Sequence, residues 1–524
     1  MRLITIISFF WVMTLSMAGI SQDIYTGLLM EEDKETPVMP DLGIKLNPAK
    51  DIVVDLKPYA PKPQDQGLLP SCVGWSVGYG ALTIMEAQRK NWINTSLVTK
   101  EAFSPLFIYN QLAINKDCEY AGASFPSAFR FLKNQGTCKK TAFNVDNEDC
   151  SALPDNVVKR TAYANRIKDY YQLFVKDASA KDKIDKARVS LAQGLPVIVG
   201  MYLTPDFRDV NTKDPTWRPQ ETPADELYPH AMVVVGYNDI RQSFEVMNSW
   251  GTDWGNDGFV WVKYKDFAKY CVLAYQLNLL EVNEIMAKET SEPTDPFAPF
   301  VQKEETLKSG NNKKRLPKEV ELYGDFVFRY PMVDDEGYPM MDGDEIKFGE
   351  AEVELMDSQY YTLKRKDWEI GQLFQLVSKN IKKDRYVYVF SVDGDDNIHQ
   401  HWPRTKLLTQ TGDDKQYFGY TESPLVPYKN AKIVIPKEGS ALRKDTEGND
   451  YLYVLYSYEI IDDIDYVKEK IRLSSLPHKD RLEEALSSRL IPHDEVEFKE
   501  NKISVKSESA NGTVLGIMIE SRGE

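Results

Sequence analysis

The stretch HAMVVVGYNDIRQSFEVMNSWGTDWG, His230–Gly255, decides how this chain is read. Two runs of β-branched and aromatic residues, Ala231–Tyr237 and Phe244–Asn248, are bounded by Gly, Pro and Asn and predict consecutive antiparallel strands. His230 opens the first strand and Asn248 closes the second. Antiparallel pairing brings those two ends together, so that the Asn248 amide can fix the orientation of the imidazole. His230 is also the only histidine before residue 399, so an imidazole chemistry in the first half of the chain has no other candidate.

A histidine held by a neutral amide needs a nucleophile to serve. Working back along the chain, Pro70-Ser71 is a helix-start signal, and the run Cys72–Arg89 is mainly apolar with no proline inside. Cys72 therefore sits at a predicted helix N-terminus, where unpaired N–H groups favour a thiolate. Gly74, Gly78 and Gly80 lie within that helix, which close packing against neighbouring backbone would justify. Gln66, on the loop leading into the helix, offers a side-chain NH2 that could join the Cys72 backbone N–H in binding an oxyanion.

Gln66-Gly67 with Ser71-Cys72, His230-Ala231 with Val235-Gly236-Tyr237, and Asn248-Ser249-Trp250-Gly251-Thr252-Asp253-Trp254-Gly255 together resemble the papain family of cysteine peptidases over residues 51–282. The resemblance implies Cys72 as nucleophile, His230 as general acid/base, Asn248 as imidazole orienter and Gln66 as oxyanion donor. Trp250 and Trp254 would shield the Asn–His bond. It extends to Tyr120–Pro126, implying a substrate-binding set of Gly122, Ala123, Ser124 and Phe125, with Pro229 beside the histidine. It departs at Val73, Leu69 and Pro70, which replace an aromatic residue, a cysteine and a glycine of the family pattern. The implied fold is α+β: a papain-like two-lobed fold, with a helical lobe and an antiparallel β-barrel-like lobe, followed by a mainly β, sandwich-like C-terminal domain.

The 524 residues exceed what one hydrophobic core serves. Met1-Arg2, the apolar run Leu3–Met17 and small residues at Ala18 and Gly19 read as a signal peptide, residues 1–21, predicting export to a periplasmic, cell-surface or extracellular location. Residues 22–50 are polar, with Pro37, Pro40 and Pro48, and read as an extended segment or short propeptide, too short for the helical propeptide of many relatives. The peptidase domain is placed at 51–282, a Pro-, Gly- and charge-rich linker at 283–316, and a β-rich accessory domain at 317–524. Further helices are expected at Pro105–Ile114, Pro126–Asn134 and Lys181–Gln193, and further strands at Leu195–Leu203 and Phe259–Tyr264. In the accessory domain, strands are expected at Glu352–Leu355, Tyr386–Val392, Lys432–Ile435, Tyr451–Tyr458, Ile503–Lys506 and Val514–Ile519, with helices at Asp465–Arg472 and Lys479–Arg489. That domain resembles β-rich modules attached to exported bacterial enzymes, which implies a bacterial source and a role in binding another protein or the cell surface.

Five cysteines in an exported chain suggest one free thiol beside two pairs. With Cys72 free, Cys138 with Cys150 closes a short loop and is the preferred pairing, leaving Cys118 for Cys271. The net charge of −16 argues against nucleic acid as a partner; protein or peptide substrates are expected. No cofactor or metal is called for: His399 and His401 share a strand face without a third ligand, and the acidic run Asp393–Asn397 reads as a solvated hairpin loop. The expected function is cysteine endopeptidase action. Two readings stand beside it: a transpeptidase or other acyl transferase using the same triad, and a catalytically silent scaffold presenting the C-terminal module.

Overall fold

The structure is a computed structural model that describes residues 26–31, 33, 35–113, 118, 122–280, 320–366, 368–409 and 417–523. The expected signal peptide and linker, and Tyr120 and Ala121, lie outside the described residues. No described helix is long and apolar enough to cross a membrane.

The sequence-predicted helix at Cys72 runs without a break through Cys72–Gly74, a wider π-helical stretch Trp75–Leu82 and Thr83–Lys90, and ends at Asn91 in the left-handed conformation. Close approach accounts for its glycines. A Cβ on Gly74 would lie 2.4 Å from the Pro105 carbonyl oxygen, one on Gly78 2.7 Å from Ile108, and one on Gly80 2.8 Å from Val233. The helix is thereby pressed between helix Pro105–Leu112, whose first turn is capped by Ser104, and the sheet behind it.

That sheet contains β1 (Val53–Asp55), β2 (Ile167–Gln172), β3 (Val197–Leu203), β4 (Thr216–Trp217), β5 (Tyr228–Asn238), β6 (Ser243–Met247), β7 (Phe259–Lys263) and β8 (Cys271–Leu279). Its order is β2-β8-β3-β5-β6-β7-β4, with β1 added to β5. The expected antiparallel pair is β5 with β6, joined at Val233–Met247 through Asn238–Ser243. His230 is the third residue of β5 rather than its first, opposite Met201 of β3. Helices early and antiparallel strands late give the α+β architecture expected.

Beyond residue 320, two seven-stranded sheets form a sandwich. One runs Ile433–Ile435, Leu373–Lys379, Val320–Pro331, Ser504–Ser509, Val496–Phe498, with Phe348–Glu350 added to Val320–Pro331 and Leu442–Arg443 to Leu373–Lys379; the other runs Val353–Met356, Tyr360–Leu363, Val514–Ser521, Asp450–Ser457, Arg385–Val392, Ile398–Trp402, with Leu425–Val426 added to Arg385–Val392. Phe326 of the first meets Tyr456 of the second in their shared core. His399 and His401 take separate partners, Asp393 at 2.9 Å and Ser391 at 2.8 Å. Asp393 also accepts from the Asp395 and Asn397 amides, closing the hairpin as the sequence suggests.

The eight-stranded sheet and the region beyond residue 320 are joined by polar contacts on the outer strands of that first sheet. Lys168 Nζ donates to the Tyr458 carbonyl, Asn278 to Asp384 at 3.0 Å, and the Tyr428 hydroxyl to Gln276 at 3.0 Å, with Ser190 donating to the same Gln276 oxygen.

The cysteine pairing differs from expectation. Cys118 is bonded to Cys150, with Cα atoms 5.5 Å apart, while Cys72, Cys138 and Cys271 are free and buried. Cys138 packs among Leu106, Phe107 and Phe143 in a small core of its own, so it serves as an apolar side chain.

Candidate active site

The His230–Asn248 contact follows directly from the register of β5 and β6. His230 Nε2 lies 2.8 Å from Asn248 Oδ1, and that oxygen also accepts from the Ser249 amide. Among the described residues, the other ring nitrogen, Nδ1, has no hydrogen-bond partner, and neither has Asn248 Nδ2. An imidazole buried with one nitrogen tied and the other unpaired is oriented for a second reacting group. Trp250 stacks on the ring with centroids 5.1 Å apart, and Trp254 meets Trp250 edge-on. Phe207 packs against both tryptophans and accepts the Trp254 indole N–H on its carbonyl. The sequence pointed to both tryptophans; Phe207 carried no motif to find it by.

Cys72 begins its helix with the sulfur facing the backbone N–H of Ala231, the residue after His230. The helix start and β5 thus meet at one site. Gln66 is held there by its neighbours: its amide donates to the Ser249 carbonyl and its Nε2 to the Leu69 carbonyl at 2.9 Å, while its Oε1 accepts from the Ser249 hydroxyl at 2.6 Å. Ser249 thereby fixes the Gln66 amide and, through its own N–H, the Asn248 amide. Reasoning from the sequence missed that role, although Ser249 lies inside the quoted motif.

The electrostatics of the site reverse one expectation. Burial pushes the Cys72 thiol up to about 11, outweighing the N–H groups of Ala231, Gly27, Val73 and Cys72 itself, which favour the thiolate. Burial also pulls His230 down to about 4, against the hydrogen bond it donates to Asn248, which favours its charged form. At neutral pH the pair is therefore thiol and neutral imidazole in this conformation. The helix terminus lowers a thiol pKa only where water or a counter-charge supports the anion.

The N-terminal segment contributes to the burial of Cys72. The Leu29 amide donates to the Ala123 carbonyl and the Ala123 amide to the Gly27 carbonyl, a parallel bridge centred on Leu28. A Cβ on Gly27 would meet the Pro70 carbonyl oxygen at 1.6 Å, so only glycine passes there, and the Gly27 N–H faces the Cys72 sulfur. Leu28, 3% exposed, fills a pocket at Gly200, which it shares with Phe125 and Leu273.

Of the residues expected to bind substrate, Gly122 and Ala123 line this strand and Phe125 the pocket. Ser124 instead caps helix Phe125–Asn134, accepting from the Ser127 amide, and Pro229 is held in β5 opposite Tyr202.

Residues 76–278 match the family of papain family cysteine proteases. Over those residues the chain is similar to papain-family cysteine peptidases. The match begins just after Cys72, so Gln66 and Cys72 stand on the geometry above. An uncharacterized peptidase C1-like protein of Acanthamoeba polyphaga mimivirus is 27% identical over 251 residues, 45% of this chain and 78% of that protein. Procathepsin L of Felis catus is 24% identical over 168 residues, 30% of this chain and 45% of the relative. Among solved structures, xylellain, a cysteine protease from Xylella fastidiosa, aligns with a TM-score of 0.37 and 22% identity, covering 48% of this chain and 100% of its own. A digestive procathepsin L2 proteinase from Tenebrio molitor larval midgut aligns with a TM-score of 0.39 and 19% identity, covering 49% and 78%.

Proposed function

We propose that the chain is an exported cysteine endopeptidase, held here in a latent form by its own N-terminal segment. The observation that carries this reading is the buried His230, tied through Nε2 to Asn248 with Nδ1 unpaired, at the strand that meets the Cys72 helix start.

Cys72 is the nucleophile. With the cleft open to water, His230 takes the thiol proton, and the thiolate attacks a peptide carbonyl. The tetrahedral oxyanion is received by the Cys72 backbone N–H and the Gln66 Nε2. Collapse breaks the C–N bond as the imidazolium gives its proton to the leaving amine, which forms a thioester. Water, deprotonated by the neutral imidazole, then attacks the thioester, releasing the carboxylic acid and restoring the thiol. Asn248 keeps the imidazole facing the sulfur throughout, and the Trp250–Trp254 pair keeps water from the His–Asn bond.

The segment Gly27–Leu29 lies along Ala123 as an extended peptide, and the pocket at Gly200 and Phe125 that takes Leu28 suits an aliphatic side chain of a substrate. The Cys118–Cys150 disulfide fits an oxidising compartment and so supports export.

The test is mass spectrometry after treatment with a thiol-directed epoxide, using a chain opened by Leu28→Asp and the same chain carrying His230→Ala. Labelling confined to Cys72 and lost in the double variant supports an activated thiolate. Equal labelling of both chains, or none in the opened chain, would favour a catalytically silent scaffold.

A further inference from the structure

The peptidase chemistry gives the β-sandwich domain nothing to do, yet the path of the N-terminal segment does. Downstream of the cleft, Arg130 holds Asp33 at 2.9 Å, and the chain then enters the crevice between the two domains. There Pro37–Met39 runs as a single strand between two edges. The Pro37 carbonyl and the Met39 amide bond Gln172 at the end of β2, at 2.9 and 2.7 Å. The Val38 amide and carbonyl point the opposite way and bond the Thr421 carbonyl and the Ser423 amide of the C-terminal region, at 3.0 and 2.9 Å. Val38, Met39 and Leu42 are buried, the Leu42 carbonyl accepts from the Lys432 amide, and Lys186 Nζ donates to the Met39 carbonyl.

We infer that the C-terminal domain is the clamp of an inhibitory strap: it grips residues 37–42 against the edge of the peptidase sheet and so keeps Gly27–Leu29 in the active-site cleft. The inference rests on the reading of Gly27–Leu29 as the plug of a latent peptidase. Its physical basis is that edge strands carry unpaired backbone groups that need covering, and here the strap satisfies two facing edges at once. The fixed contacts Asn278–Asp384 and Tyr428–Gln276 hold those edges at the right separation. From Leu29 to Pro37 the strap can extend at most about 30 Å, so a clamped strap returns its plug to the cleft after every opening. A cut downstream of the clamp, in the exposed stretch from Lys45 to Lys50, therefore leaves the enzyme closed, and activation requires a cut upstream of Pro37 or loosening of the domain contact.

The experiment places a site-specific protease sequence at residues 45–50 of the full chain, nicks it, and follows two readouts: whether the segment co-elutes with the body of the protein, and the rate at which iodoacetamide alkylates Cys72. The nicked wild type retains the segment and alkylates slowly. Leu28→Ser, which acts only at the cleft, retains the segment but alkylates at least about tenfold faster. Val38→Pro removes the amide bonded to the C-terminal region while leaving both bonds to Gln172, and the segment dissociates at least about fivefold faster. Loss of the segment from the nicked wild type, or equal dissociation from Val38→Pro, overturns the clamp. Retention in Leu28→Ser with an unchanged alkylation rate separates the two ideas: it removes the plug, and with it the regulatory role, while the grip itself stands.

Discussion

Asn248 offers the sharpest single test of how the site is built. Its Oδ1 accepts from His230 Nε2 and from the Ser249 amide, whereas its own Nδ2 is buried without a partner among the described residues. Asn248→Ala therefore strands two buried donors, each at a cost of about 1 to 3 kcal/mol, and removes one donor that was already stranded, returning a similar amount. The net expectation is a destabilisation of about 2 kcal/mol, well below what two lost hydrogen bonds alone would suggest. Asn248→Asp keeps the acceptor and adds a charge that favours imidazolium, so it raises the His230 pKa from its depressed position near 4. Urea unfolding at pH 7 reads the stability, and the His230 ring proton signals in NMR read the titration. Peptide hydrolysis by the opened chain should fall about a hundredfold in Asn248→Ala, as expected when a reacting group loses its alignment. A stability loss below about 0.5 kcal/mol with an unmoved imidazole titration in Asn248→Asp would refute the geometry assigned to the pair.

Other consequences follow from the same contacts. Gly74→Ala places a methyl group 2.4 Å from the rigid Pro105 carbonyl, so it should cost about 1 to 3 kcal/mol by thermal unfolding, more than the usual gain in helix propensity returns. Removing the disulfide with Cys118→Ala opens a loop with a sequence separation of 32 and should cost about 3 to 4 kcal/mol, whereas Cys138→Ala should show only the cost of lost packing. His230 titrates near 4 in the fold against 6.5 ordinarily, so its contribution is fully present above pH 6.5 and is lost as pH falls toward 4, by up to about 3 kcal/mol. Unfolding measured from pH 7 to 4 should show that acid-dependent slope, reduced in His230→Gln.

The β5–β6 pair and the Cys72 helix were legible because their signals are local: bounded β-branched runs, a helix start and glycines that demanded close neighbours. The strands β8 and Val320–Pro331 were not. β8 is buried along nearly its whole length and so lacks alternation, while Val320–Pro331 alternates with charged residues such as Glu321, Asp325 and Arg329 that mask its apolar face. The strap was read only as an extended segment, since its partners Ala123, Gln172, Thr421 and Lys432 come from four distant stretches of chain. For the same reason the thiol pKa was expected in the wrong direction. The helix terminus is visible in the sequence, but the segment that excludes water from it is visible only in three dimensions.

The most direct measurement of the central claim is hydrolysis of a fluorogenic peptide carrying leucine beside the scissile bond, by the wild type, by Leu28→Asp, and by Leu28→Asp with Cys72→Ser. Little turnover is expected from the wild type, substantial turnover once Leu28 is displaced, and none when the thiol is replaced. Turnover that survives Cys72→Ser, or an opened chain as inactive as the closed one, would contradict that claim.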